Sequence, residues 1–246
     1  MKMKFLSLLL AGLLFGGTAR AAVQLIEFGD YGVNVISAAI PDNSAAGLAR
    51  TKVLTGYDLY APYVVTVSLK IAGTGLGAYN GDFYADLRHL SADGTVTRLA
   101  VLLNRIGRSA DLPNGYSDNG LDIVLADSAD EDIHNYRFAL SGGHNNPITG
   151  ALTGTWQADG RNVDPLSAQD TSLRTTTLNS LGTGSPNGTW TLFVADAQAG
   201  GTGQLTEWKV TMQGVPEPSS ASLVILGLAA VLARRRRGGS GVAARR

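Results

Sequence analysis

Seven carboxylates stand close together in this chain: Asp111, Asp118, Asp122, Asp127, Asp130, Glu131 and Asp132. Neither lysine nor arginine occurs between Arg108 and Arg137. Like charges gathered without counterions repel, and a hard cation that takes six to eight oxygen ligands relieves that repulsion. Calcium is the chemistry such a segment could do. Asp118, Asp122, Asp127, Asp130 and Asp132 are the candidate ligands, with Asn114 and Asn119 as neutral oxygen donors. The spacing is not that of an EF-hand, because no Asp-x-Asp-x-Asp-Gly run exists. The competing reading is a solvated acidic loop that keeps the protein soluble. Catalytic patterns are fewer. The three histidines, His89, His134 and His144, form no His-Glu-x-x-His pair, and no Gly-x-Ser-x-Gly elbow is present. His89 is expected at a strand end as a surface or half-buried residue, and His134 and His144 in solvated loop regions. Gly73-Thr74-Gly75-Leu76-Gly77 fails the dinucleotide spacing and reads as a loop.

The two ends carry addresses rather than chemistry. Lys2 and Lys4, the apolar stretch Phe5–Phe15 and the small residues ending Ala19-Arg20-Ala21 make residues 1–21 a secretory signal, with Ala22 as the expected mature start. At the other end Pro216-Glu217-Pro218 breaks the chain. An apolar run, Ala221–Ala233, and the block Arg234, Arg235, Arg236 and Arg237 follow. The prolines lack an N–H and fix their own φ. Four guanidinium groups are costly to move through hydrocarbon, so they stay cytoplasmic and orient residues 219–233 as a single transmembrane helix. The run of 13 residues is about 20 Å long as a helix, shorter than the roughly 20 residues a bilayer core needs. These features resemble the PEP-CTERM sorting signal of Gram-negative, biofilm-forming bacteria. That resemblance implies processing by an exosortase and display on the cell surface or in the extracellular matrix after a stage anchored in the inner membrane. Such signals usually stop at the arginine cluster, whereas Gly238–Arg246 continues here as a basic tail.

With both ends set aside, residues 22–214 suit one domain large enough for a substantial core. The whole chain has 20 basic and 20 acidic residues, but the leader holds three of the basic ones and the segment after Gly214 six, with only Glu217 acidic there. The remainder is acidic, which argues against nucleic acid as a partner. There is no cysteine, so an exported domain of this kind must stand on its core or on bound ions.

The core reads as strands. Tyr63, Val65, Val67, Leu69 and Ile71 alternate with Val64, Thr66, Ser68 and Lys70, a period of two with one apolar face. Thr97-Leu99-Val101-Leu103, Trp190-Leu192-Val194 and Trp208-Val210-Met212 repeat it. Weaker strands are expected over Gln24–Phe28, Gly32–Ser37, Phe83–Leu90, Leu121–Leu125 and Tyr136–Leu140, and a short helix within Ser172–Leu181. Asp93-Gly94, Asn119-Gly120, Gly142-Gly143 and Asn187-Gly188 punctuate them as turns. Many short strands between turns predict an all-β sandwich or jelly roll. Trp190 and Trp208 are expected on neighbouring antiparallel strands joined by Ala199–Gly203, packing into one core.

Two stretches carry a second resemblance: Ile40-Pro41-Asp42-Asn43 with Gly81-Asp82-Phe83 and Ser91–Thr95, and then Leu152–Trp156, Asn187-Gly188-Thr189-Trp190, Ala195-Asp196, Gly201-Thr202-Gly203 and Leu205–Trp208. Residues 40–214 are similar to the P domain, or P/Homo B domain, of proprotein convertases and bacterial subtilases, with residues 22–39 as an N-terminal strand segment. The resemblance implies a galactose-binding-like jelly roll. It also implies either a non-catalytic module that binds exopolysaccharide or a surface protein, or an accessory domain that supports a subtilisin-like serine protease in trans. Asp82, in the family's Gly-Asp-Leu position, is expected to brace its own turn by an Asx-type hydrogen bond. No protease fits in the residues before Ile40, and no catalytic residue is assigned.

Overall fold

A computed structural model describes residues 23–75 and 77–215. The leader, the Pro-Glu-Pro motif, the apolar run and the arginine cluster lie outside the described residues. Two sheets pack face to face as an all-β sandwich. In the six-stranded sheet the order is β1 (Gln24–Asp30), β10 (Thr202–Val215), β4 (Tyr60–Thr74), β7 (Leu121–Ala126) and β8 (Leu152–Trp156), with β2 (Ala38–Ala39) also pairing with β10. The second sheet runs β3 (Ser44–Leu54), β9 (Gly188–Asp196), β5 (Phe83–Ser91) and β6 (Thr97–Asn104). All pairings are antiparallel except β7 with β8. Among the described residues no helix is long and apolar enough to cross a membrane.

The strand alternation explains the interior. Tyr63, Val65, Val67, Leu69 and Ile71 of β4 are buried, while Val64 is about half exposed. Trp190, Leu192 and Val194 of β9 face them from the other sheet, beside Trp208, Val210 and Met212 of β10. The two tryptophans are not on paired strands, as the expected hairpin required. The chain crosses from one sheet to the other between Asp196 and Thr202, so β9 and β10 lie in opposite layers. Phe28 of β1 bridges the indoles, with its ring 5.5 Å from Trp190 and 6.3 Å from Trp208. Tilted and edge-on aromatic contacts of this kind contribute about 0.5–1.5 kcal/mol each beyond the area they bury. Asp30, at the end of β1, fastens the layers on the polar side. It accepts from Trp208 Nε1 at 2.8 Å, from Lys52 Nζ at 2.6 Å and from Arg50 Nε at 3.0 Å, the last two on β3. Burial works against the charge of Asp30, but these three donors outweigh it and hold the carboxyl below the ordinary range.

Several local expectations are corrected. Gly32–Ser37 contains a single 3-10 turn, Gly32–Asn34, rather than a strand. Tyr136–Ser141 is one short α-helix, α1, closed by Gly142 with φ +71°, the left-handed geometry of a helix C-terminus. The helix expected within Ser172–Leu181 is a 3-10 turn at Leu178–Gly182. On β6 the inward set is Ala100 and Leu102, and Leu99 and Val101 pair opposite the outward Arg88 and Asp86. A bulge between Ala85 and Asp86 shifts the phase and returns Leu103 to the core.

Candidate functional site

The outer face of the four-stranded sheet is where small, polar and aromatic residues meet solvent. Tyr84, Asp86 and Arg88 point outward from β5, Thr191 and Phe193 from β9, and Ala49, Thr51 and Val53 from β3. Register places Asp86 beside Phe193 and Arg88 beside Thr191. The Tyr84 and Phe193 rings lie 6.2 Å apart, tilted by 58°. Arg88 reaches back to Asp86 with Nε at 2.8 Å and Nη2 at 2.7 Å, and its guanidinium lies 5.6 Å from the Phe193 ring centroid. Tyr84 donates its hydroxyl to Asp86 Oδ2 at 3.0 Å. Asp86 is fully buried, so its carboxylate fixes Tyr84 and Arg88, while the Tyr84 and Phe193 side chains stay half-buried. At the end of this face the rings line a groove of about 510 Å³, walled by Asn43 to Ala45 on one side and by Val163 to Leu166 on the other. A rigid aromatic pair with polar atoms at its rim can accept the apolar face of a sugar ring or a flat side chain, while the rim supplies hydrogen bonds.

The acidic segment is distributed rather than gathered. Asp118 is buried and accepts from Tyr136 Oη, from Arg137 Nε at 2.6 Å and Nη2 at 2.9 Å, and from the Ile148 amide at 3.0 Å. Asp122 pairs across β4 and β7 with Lys70 at 2.7 Å. Asp127 accepts the amides of Leu178 and Asn179 and so caps the 3-10 turn there. Asp132 caps the turn at His134 and pairs with Arg161 at 2.8 Å. Asp130, like Asp111 and Glu131, is exposed. The partners Lys70, Arg137 and Arg161 all come from outside the segment, which is why its local composition reads as uncompensated. Among the described residues no group of three or more His, Asp or Glu side chains is gathered to hold a metal ion.

The histidines also differ from expectation. His134 is fully buried, with Nδ1 at 2.8 Å from Asp159 Oδ2 and Nε2 at 3.0 Å from the Arg108 carbonyl. His89 is fully buried and stacked on Trp190, with centroids 4.3 Å apart. His144 is half-buried and bonded to the Tyr116 hydroxyl. Trp190 and Trp208 are both fully buried, so neither forms an exposed platform.

One pair lay outside the sequence-based site assignment. Asp82 ends the turn that leads into β5, and Asp196 ends β9. The residue after Asp82, Phe83, pairs directly with Asp196, and the Ala197 amide donates to the Asp82 carbonyl at 2.8 Å. Both carboxyls are buried, and the Oδ2 atom of each has no hydrogen-bond partner. The expected Asx brace at Asp82 is not formed. Burial and the neighbouring Asp196 push the Asp82 carboxyl up to about 7, against the pull of Arg105. Burial pushes Asp196 up to about 6, opposed by the Gln198 amide that donates to it. Gly81-Asp82 and Ala195-Asp196 were visible as motifs, but nothing in their spacing said that they meet. Comparison with family models and with curated proteins found no match for this chain.

Proposed function

We propose that this protein is a non-catalytic, exported β-sandwich that binds a polysaccharide chain at the outer face of its four-stranded sheet. Export rests on the leader Met1–Ala21, and sorting on Pro216-Glu217-Pro218 and the arginine block, which we read as a PEP-CTERM signal processed by an exosortase. In this reading the sandwich is a galactose-binding-like jelly roll of P-domain type, and it works at the cell surface or in the extracellular matrix. The observation that carries the binding assignment is the half-buried Tyr84–Phe193 pair lining the groove, with the Tyr84 hydroxyl fixed by buried Asp86. Holding both rings in advance lowers the ordering cost of capture.

The test is affinity electrophoresis of the purified protein through gels containing a panel of soluble bacterial polysaccharides. Retardation by at least one is expected. The double variant Tyr84→Ala/Phe193→Ala should bind at least about tenfold more weakly, which is about 1.4 kcal/mol, with an unchanged circular dichroism spectrum. Equal retardation of the variant, or migration of the wild type unaffected by every polysaccharide, would overturn the assignment.

A further inference from the structure

We propose that the pole of the sandwich from which the chain leaves rests on a lipid surface, so that the groove at the opposite pole is turned away from the membrane. The inference rests on reading Ala221–Ala233 as a membrane anchor, and it adds what the folded body does beside that anchor. Val215 pairs with Tyr60, and Gln24 with Gly214, so both ends of the described chain emerge at one pole. Five residues, Pro216–Ser220, separate Val215 from Ala221. Fully extended, they span at most about 17 Å, so an anchored run keeps this pole within that distance of the membrane. Strand β3 relates the two poles. It begins at Ser44, which lines the groove and pairs with Asp196, and it ends at Leu54, which pairs with Gly188. Residues 55–59 then join Leu54 to Tyr60, and the Asn187 side chain holds the backbone of Tyr57 at 3.0 and 2.8 Å. The chain exit and the groove therefore lie at opposite ends.

At the exit pole the last outward row of each sheet is apolar. In the six-stranded sheet Leu25 and Val64 flank Gln213, and they are 59% and 48% exposed. In the four-stranded sheet Val53 and Leu90 flank Thr189, and they are 67% and 39% exposed. One outward row further in, both faces turn polar. Glu27, Thr211 and Thr66 form that row in the first sheet, and Thr51, Thr191 and Arg88 in the second. Tyr57 and Val96 add exposed apolar surface on the loops of the same pole. An apolar rim on both faces, confined to the end nearest an anchor, fits a membrane interface. Aliphatic side chains there sink about 5–10 Å into the boundary between headgroups and acyl chains, and a tyrosine suits the headgroup level with its ring and hydroxyl. Asp58, Asp93 and Arg98 stand at this pole as two acids and one base. The contact is therefore hydrophobic rather than an attraction to anionic headgroups. It keeps the junction after Val215 at the interface, within reach of a membrane-bound processing enzyme, while the groove faces outward.

The chain has no cysteine, so single cysteines can carry a nitrobenzoxadiazole fluorophore. The test reconstitutes the full labelled chain into phosphatidylcholine vesicles doped with a nitroxide-bearing phospholipid. Labels at Leu25→Cys and Leu90→Cys should be quenched at least about twofold more than one at Leu166→Cys, which is also exposed but lines the groove. A label at Leu226→Cys, within the apolar run, tests anchoring itself. Quenching at Leu226 with none at Leu25 and Leu90 would overturn the proposal and leave the anchor standing, whereas no quenching at any position would remove both. Inserting about ten Gly and Ser residues after Val215 releases the body from enforced proximity, and quenching at Leu90 should persist. A fall to the level of Leu166 would reduce the contact to tethering and overturn the proposal. So would a blue shift at Leu90 without quenching, which would give the surface to a second copy of this chain.

Discussion

Replacing Arg137 by methionine should destabilise the sandwich more than most single changes, because of where its partner sits. The Asp118 side chain is 0% exposed and that of Arg137 5%. Asp118 takes two of its four hydrogen bonds from the guanidinium, which also lies 4.5 Å from the Tyr116 ring centroid. Methionine preserves much of the apolar contact with that ring and removes the charge. What remains is a carboxylate sealed from water, with only Tyr136 Oη and the Ile148 amide to stabilise it. Removing one partner of a buried pair costs about 3–5 kcal/mol. For a domain of this size each kcal/mol moves the midpoint by about 2–4 °C, so the melt should fall by roughly 6–20 °C. The double variant Asp118→Asn/Arg137→Met separates charge from packing. Its amide oxygen can still accept from Ile148 and its amide nitrogen can donate to Tyr136, so it should recover most of the loss. Urea unfolding monitored by circular dichroism measures both. A single-variant cost below about 1 kcal/mol, or a double variant no more stable than the single one, would refute the claim that this pair acts as a desolvated charge network.

Two further predictions concern other parts of the chain. Burial holds the His89 imidazole below its ordinary range, and the hydrogen bond to the Asn187 carbonyl only partly offsets this. The folded state therefore binds fewer protons there than the unfolded chain. Stability owed to neutral His89 is present above the unfolded value of about 6.5 and is lost as pH falls below it. Urea midpoints of the wild type should drop relative to His89→Gln between neutral pH and about pH 5, and parallel profiles would refute this. In a host that encodes an exosortase, Pro216→Ala/Glu217→Ala/Pro218→Ala should leave the C-terminal segment uncleaved and the protein in the inner membrane. Unaltered mass and location would count against the sorting assignment.

The strands at the centre of each sheet were the legible ones. Tyr63–Ile71, Trp190–Val194 and Trp208–Met212 each bury one face and leave the other exposed or partly so, and a period of two survives in their composition. Strand β3 was missed because it lies at an edge, begins Ser44-Ala45-Ala46-Gly47, and has an irregular register with β9 between Ser44 and Leu48. Its small residues carry no hydrophobic rhythm. Tyr136–Leu140 reads as extended because Tyr136, Phe138 and Leu140 alternate with Arg137 and Ala139, yet it forms α1 against a turn capped by Asp132. The alternation puts the two tryptophans on the right strands but not in the right relation, since a glycine-rich link can cross between sheets as readily as it turns within one. The charge network was the least legible part. Asp118, Asp122 and Asp132 find partners 19, 52 and 29 residues away, and only the folded topology supplies them. The same holds for Asp82 and Asp196, which strand pairing alone brings together.

Strand β10 has a mechanical consequence. It leads out of the domain at Val215 and is flanked along much of its length, by β1 from Gln24 to Asp30 and by β4 from Tyr60 to Thr74. Tension applied through Val215 runs along that strand and loads both flanking ladders in shear, rather than unzipping one bond at a time from an edge. A body hung from this point would resist drag through the strand best secured by its neighbours.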